Sequence, residues 1–216
     1  MVQPEESSKH RSFLQDNVAD FFNFHVRYFG DDWRALGWHS RRTQFKRFAV
    51  LCEVGTLHQT RILDVGCGLG DLYAYLRKEG MTVDYSGCDL LPAMVNRARQ
   101  RFPEAHFVVR DAFEGLGDER YDYILSSGAF NIDFGHNLTA VQTILRQMLA
   151  HCTQGVAINF LSVKDKNRDA IFFHYDPRAM QAYGQTFCDR VELREDYLPN
   201  DFTLYLYPSV KSEPGT

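Results

Sequence analysis

The chain has 216 residues, of which 44% are apolar and 24% charged, an ordinary globular balance with enough apolar material for a substantial core. A formal net charge of −4 gives no global electrostatic reason to expect a nucleic-acid partner. No apolar run approaches the ~18 residues needed to cross a bilayer, and the polar start MVQPEESSKHR lacks the apolar stretch of a secretory signal, so a cytoplasmic protein is expected. The five cysteines, Cys52, Cys67, Cys88, Cys152 and Cys188, are odd in number and scattered, with no C-x-x-C pair. That spacing argues against a disulfide framework or a structural zinc site. Asn137-Leu138-Thr139 matches a glycosylation acceptor, a triplet that chance supplies often.

In chain order, residues 1–9 carry charge, a proline and no periodicity, which predicts disorder. A helix rich in Phe and Tyr is expected from Asp16 to about Gly30, then a loop, GDDWRALGWHS, holding both tryptophans. Phe45, Phe48, Ala49 and Cys52 recur at helical spacing, predicting a second helix from Ser40 to Val54 with Ser40 as its cap. From Arg61 strands and helices alternate: strands at 61–65, 82–88, 105–109, 121–126 and 155–162, with helices from Asp71 to Glu79, after Asp89, near 139–150 and around 177–184. The clearest helix has Val141, Ile144, Leu145, Met148 and Leu149 on one face. Two last runs, CDRVELRED and FTLYLYP, read as an antiparallel hairpin; in the second, Phe202, Leu204 and Leu206 alternate with Thr203, Tyr205 and Tyr207, predicting a half-buried strand. The expected fold is α/β: a doubly wound, seven-stranded, mostly parallel sheet with a C-terminal antiparallel hairpin and an N-terminal helical cap. The expected organisation is a tail and cap over 1–55, a ligand-binding domain over 56–210 and a frayed tail, KSEPGT, over 211–216.

The strongest chemical signal is Ile62-Leu63-Asp64-Val65-Gly66-Cys67-Gly68-Leu69-Gly70-Asp71, a strand running through a Gly-rich turn into a helix. Glycines at 66, 68 and 70 let the backbone bend tightly and approach a ligand. A dinucleotide fingerprint, G-x-G-x-x-G, would need its third glycine at 71, where this chain has an acid that would repel a pyrophosphate at the helix N-terminus. Asp64 also suits a ligand carrying an ammonium group better than a phosphate. Asp89, about 20 residues beyond the glycine turn at the end of the second strand, is placed to accept both hydroxyls of a ribose.

With these features the chain resembles the class I S-adenosylmethionine-dependent methyltransferases, whose first motif reads D-x-G-x-G-x-G; the resemblance spans about residues 60–162 and extends to the closing hairpin. It implies S-adenosylmethionine as cofactor, with S-adenosylhomocysteine as product and no metal. It assigns the glycine turn (Asp64, Gly66, Cys67, Gly68, Gly70) and Asp89 to the cofactor, with Leu90 against the adenine. Met94 is either core or the edge of the adenine pocket. Asp111 and Ala112 match an acid and small-residue pair that meets the adenine ring. Ser126 and Ser127, in Ser-Ser-Gly-Ala-Phe-Asn, fall where the family places the methionine part of the cofactor and the approaching acceptor. That segment is not the Asn-Pro-Pro-Tyr or Asp-Pro-Pro-Tyr of amino-methylating nucleic-acid enzymes.

Substrate clues are sparser. Arg34, Arg41, Arg42, Lys46 and Arg47 occur without an intervening acid. Either Arg41 or Arg42 meets the cofactor carboxylate, or the run binds an acidic substrate, or it is a solvated helix face. Tyr28, Trp33 and Trp38 line an apolar pocket or simply fasten the cap. His174, Tyr175 and His136 are candidates for a general base, against the plainer reading as packing or solvent-facing loop residues. A small-molecule acceptor is the expected substrate, with no membrane. The competing readings are a protein or RNA methyltransferase docking through the basic run, and a cofactor-binding domain without turnover. An NAD-dependent oxidoreductase is disfavoured by Asp71.

Overall fold

The computed structural model describes residues 20–22 and 24–209. The expected tails at 1–9 and 211–216, and the helix start at Asp16, lie outside the described residues. By contacts the chain divides into two compact units, Met1–Gln44 and Phe45–Thr216.

In the first unit residues 20–22 and 24–29 are helical (α1). A 3-10 turn over Trp33–Leu36 follows inside the expected loop, with Asp32 accepting from the Arg34 N–H at 3.0 Å. Ser40 caps as expected: its Oγ accepts from the Thr43 N–H at 3.1 Å. The helix it opens is shorter than expected. It runs over Arg41–Leu51 (α2) and tightens into a 3-10 turn at Cys52–Val54.

The second unit is a seven-stranded sheet: β1 Arg61–Val65, β2 Asp84–Asp89, β3 His106–Val109, β4 Tyr121–Ser127, β5 Cys152–Leu161, β6 Arg190–Arg194 and β7 Asp201–Tyr207. The order is β3-β2-β1-β4-β5-β7-β6, parallel except for β7, which is antiparallel to both neighbours. Between them lie α3 Asp71–Lys78, α4 Pro92–Arg101, α5 Asn137–His151 and α6 Pro177–Gly184. Successive strand residues serve opposite layers, because side chains alternate across a sheet. Ile62 and Leu125 join Leu72, Leu76, Val95 and Ala98 of α3 and α4, whereas Leu63 and Ile124 join Val141, Ile144, Leu145 and Met148 of α5.

Three expectations are corrected. β7 is not half-buried: Thr203 and Tyr205 are as covered as Phe202 and Leu204, because the strand lies between β5 and β6 with packing on both faces. β5 starts at Cys152 rather than 155, since Cys152 pairs with Tyr121 at the foot of β4. β2 begins at Asp84 rather than 82, where Asp84 meets Arg61, the first residue of β1. All five cysteines are free. Among the described residues no helix is long and apolar enough to cross a membrane.

Candidate active site

Because β1 to β5 run parallel, their carboxyl ends gather along one edge, where open α/β sheets hold their ligands. β1 leaves that edge through Gly66, Gly68 and Gly70, at φ 75°, 52° and 77°, a left-handed region that costs a side-chain-bearing residue dearly. Gly66 is constrained twice, since a Cβ there would stand 2.2 Å from that of Ala129 in the loop after β4. The turn is tied to β2 by the Gly66 and Cys67 N–H groups, which donate to the Cys88 carbonyl at 2.8 and 3.0 Å.

Asp89 is the second tie. One carboxylate oxygen accepts from the Gly68 N–H and the other from the Leu91 N–H, both at 2.9 Å. The Leu90 N–H also favours the charge, and a carboxylate's roughly four acceptor sites leave capacity for a further donor. Burial raises its pKa, against the backbone N–H groups that favour the charge. Leu90 beside it is half-buried, and Met94, 2% exposed, settles as a buried residue of α4. The Arg110 N–H donates to the Asp89 carbonyl at 2.9 Å and so brings the end of β3 alongside. There Asp111 Oδ1 accepts from the Phe113 N–H at 2.8 Å, and the half-buried Ala112 packs toward the α5 layer.

Asp64 is buried under the turn, and the Tyr85 hydroxyl donates to it at 2.5 Å. Among the described residues no cation pairs with it. Burial pushes its pKa up to about 7; the Tyr85 hydrogen bond opposes that, and the negative Asp89 and Asp71 add to it. Asp71 is handled differently: its carboxylate meets Arg101 at 2.9 Å, while Arg101 also donates to the Leu69 carbonyl. Its charge is therefore matched within the protein, and the expected repulsion of a phosphate is weaker than Asp71 alone implies. Cys67 is buried and its thiol pKa is raised well above the usual value by burial, which makes it inert packing rather than a nucleophile.

The β4 end holds the two serines unequally. Ser126 is fully buried and spends its hydroxyl on the Val65 carbonyl at 2.8 Å. Ser127 is partly open and lies opposite Asn159 of β5, their side chains 3.4 Å apart. The loops beyond these strands are laced together. The Asp133 N–H donates to the Ile171 carbonyl and the Phe173 N–H to the Asn131 carbonyl, at 2.9 and 2.7 Å. Tyr175, fully buried, donates to the Phe130 carbonyl at 2.7 Å, and Asn137 Nδ2 donates to the Ile132 carbonyl, also at 2.7 Å.

Tyr175 is thus a packing group and not a general base; burial raises its pKa. Asn137 is buried too, which removes the glycosylation reading of its triplet. His174 is half-buried with Nδ1 at 3.1 Å from the Phe172 carbonyl, and His136 is exposed against the Phe134 ring. Of the basic run, Arg47 is buried in a two-pronged ion pair with Asp201, and Arg34 pairs with Asp32. Arg41 is exposed at the start of α2, in the first unit.

The residues brought together at the strand ends are therefore Asp64, the glycine turn, Asp89, Leu90, Asp111, Ala112, Ser126 and Ser127. Tyr85 and Asn159 went unremarked in the sequence, and Asn131 and Asn137 appeared there only as parts of other motifs. Only Tyr85 carried a signal, since it alternates with Gly87 and Asp89 along β2.

Comparison with known proteins agrees with this geometry. A family model described as a methyltransferase domain matches residues 62–155. A protein of Mycobacterium tuberculosis named as a methyltransferase is 31% identical over 154 residues, covering 66% of this chain and 90% of the relative. The demethylmenaquinone methyltransferase of Chlorobaculum tepidum is 30% identical over 133 residues, 59% of this chain and 50% of that enzyme. Among solved structures, magnesium protoporphyrin IX methyltransferase from Synechocystis PCC 6803 with bound SAH superimposes with a TM-score of 0.65 at 16% identity, over 91% of this chain and 100% of that one. The chain belongs to the class I S-adenosylmethionine-dependent methyltransferases. The residues present fit that cofactor: a buried carboxylate with no cation of its own, an acid with spare acceptor capacity, and a glycine turn between them.

Proposed function

We propose that the protein methylates a small molecule, and that the acceptor sits against the carboxyl ends of β4 and β5. The observation that carries this is the Ser127–Asn159 pair, a partly open hydroxyl backed by a buried amide across two strands at the crevice. Such a pair offers both donors and acceptors to a compact polar group. Tyr175 and Asn137 fix the loops above it before any ligand arrives. One relative is named a demethylmenaquinone methyltransferase and one structural neighbour a magnesium protoporphyrin IX methyltransferase, which supports a small-molecule acceptor, while two further relatives are named malonyl-(acyl-carrier protein) O-methyltransferases. A protein or RNA acceptor docked through the basic run loses support, since Arg47 is committed to Asp201.

In this reading Asp89 receives the ribose hydroxyls, Leu90, Asp111 and Ala112 border the adenine, and the backbone of Gly66, Cys67 and Gly68 passes close to the ligand. When bound, S-adenosylmethionine supplies a methyl group already activated on a sulfonium, so no metal is needed. That methyl group would be transferred to the nucleophilic atom of an acceptor that the protein holds and orients. Ser127 and Asn159 hold the acceptor in line, and the layered loops exclude water. Positioning of this kind is worth roughly 7–11 kcal/mol. A thiolate or carboxylate acceptor needs no base, and His174 is the side chain available if a proton must leave.

The test is transfer of labelled methyl from S-adenosylmethionine in a dialysed cell extract to which the small-molecule fraction is returned. Label appearing in that fraction, and lost in Ser127→Ala with Asn159→Ala, is the expected result. Label confined to protein or RNA would overturn the substrate class.

A further inference from the structure

Asp64 and Tyr85 form an isolated buried pair. Asp64 is 3% and Tyr85 also 3% exposed, their oxygens are 2.5 Å apart, and Tyr85 is the carboxylate's one hydrogen-bonding side chain among the described residues. The titratable groups around them are Asp89 and Cys88 from β2, Cys67 from the turn, and Tyr73 and Asp71 from α3, the last with its charge taken up by Arg101. A buried carboxylate in such company stays charged only if something favours the charge. Among the described residues the chain supplies one side-chain donor and no cation.

We propose that Tyr85 is a positioning residue for cofactor capture: its hydroxyl orients Asp64 and keeps it ionisable, so that the carboxylate receives the cationic end of S-adenosylmethionine. This rests on the cofactor reading above and adds a residue outside the glycine motif. The ring itself is fixed independently, packed 4.8 Å from Tyr73 and 5.9 Å from Phe107 between ring centroids, so Tyr85→Phe removes the hydroxyl and leaves the packing. Losing a hydrogen bond to a charged group disfavours the charged form. Asp64 then ionises at higher pH, and capture of a cation moves with it.

Two measurements test this on the full chain. First, the Asp64 carboxyl carbon is followed by NMR through a pH titration without ligand; in Tyr85→Phe its midpoint is expected about one unit higher, a tenfold change in proton affinity. Second, S-adenosylmethionine is titrated calorimetrically from pH 6 to pH 9 into wild type, Tyr85→Phe and Asp64→Asn. The ligand's own titration is common to all three proteins, so the ratios of dissociation constants carry the result. Tyr85→Phe should bind about tenfold more weakly than wild type at pH 6 and nearly equally at pH 9, while Asp64→Asn should be weaker throughout.

An Asp64 midpoint unmoved by the substitution overturns the proposal whatever the ligand does. So does a loss in Tyr85→Phe that is the same at every pH, which marks a merely structural role and leaves the cofactor assignment standing. If the carboxyl midpoint moves but S-adenosylmethionine fails to bind the wild type at any pH, the cofactor-capture role falls together with the assignment of the site.

Discussion

Two buried aspartates lie at the same edge of the sheet and are treated in opposite ways. Asp201 opens β7, which runs antiparallel and so begins where β5 ends; it is gripped by Arg47 through both carboxylate oxygens. Asp64, on β1, has a tyrosine hydroxyl and, among the described residues, no cation. Burial raises the pKa of both, but only at Asp201 does a guanidinium pull against it. A carboxylate whose countercharge comes from the chain is part of the fold. One whose countercharge is missing carries a cost of burial, and in the proposed site the offsetting charge would arrive with the cofactor.

The largest effect should come from breaking the satisfied pair. Arg47→Ala leaves Asp201 buried without its cation and should cost about 3–5 kcal/mol. Urea unfolding would show it as a lower midpoint, while the dissociation constant for S-adenosylmethionine, corrected for the folded fraction, stays as in wild type. A large change in that constant would mean that the two aspartates are not separable in role.

At Asp64 the sign reverses. Its folded pKa lies above the unfolded one, so between the usual value of 3.8 and about 7 the native state binds the extra proton. Stability then falls as pH rises through that window and is flat above it. Asp64→Asn escapes this loss and should be more stable than wild type at pH 8, by at most about 4 kcal/mol if the whole shift is expressed. The same substitution should weaken S-adenosylmethionine binding. Equal stability of the two proteins at pH 4 and pH 8 alike would show that Asp64 carries no stored cost.

Asp89 lies between these extremes, since its carboxylate holds the turn and, in the proposed site, the ribose together. Asp89→Ala should weaken S-adenosylmethionine about tenfold or more, ~1.4 kcal/mol for each tenfold, with NADH unbound by either protein. Binding of NADH in place of S-adenosylmethionine would overturn the cofactor role proposed for these residues.

What the sequence disclosed follows the range of the interactions. The glycine turn, Asp89 and the order of strands and helices were legible because each depends on neighbours a few residues away. Arg47 looked no different from Lys46; its partner lies 154 residues further on, and only packing makes one buried and the other exposed. Tyr85 and Asp64 are 21 residues apart and meet because β1 and β2 are adjacent and parallel. β7 was misjudged for the same reason: its residues alternate in kind, but a strand's exposure is decided by what lies on either side of it. Half of the candidate site, the glycine turn and Asp89, could thus be read from local pattern. On the proposed acceptor side, Asn159 meets Ser127 across two strands and Asn131 accepts from the distant Leu161 N–H, contacts that no local pattern shows.

That acceptor side supplies the smallest of the expected effects and the sharpest contrast with Asp64. Tyr175 also buries a hydroxyl, yet its partner is a neutral carbonyl, that of Phe130, and its ring packs against Phe160 and Phe173. Tyr175→Phe keeps those rings in place and removes two neutral hydrogen bonds, the donation to Phe130 and a longer one accepted from Asn137 Nδ2 at 3.4 Å. It should cost about 1 kcal/mol of stability, most of it from the first. The Phe130 carbonyl retains Asn137 Nδ2 at 3.2 Å as a donor, which limits the loss. Because nothing charged depends on this hydroxyl, S-adenosylmethionine affinity should be unchanged from pH 6 to pH 9, whereas Tyr85→Phe should show a pH-dependent loss. A rise in KM for the acceptor with kcat held would show that the loop it anchors forms the acceptor wall. A pH-dependent loss of cofactor affinity in Tyr175→Phe would instead mean that the two hydroxyls belong to one connected network, and the division between a cofactor side and an acceptor side would have to be redrawn.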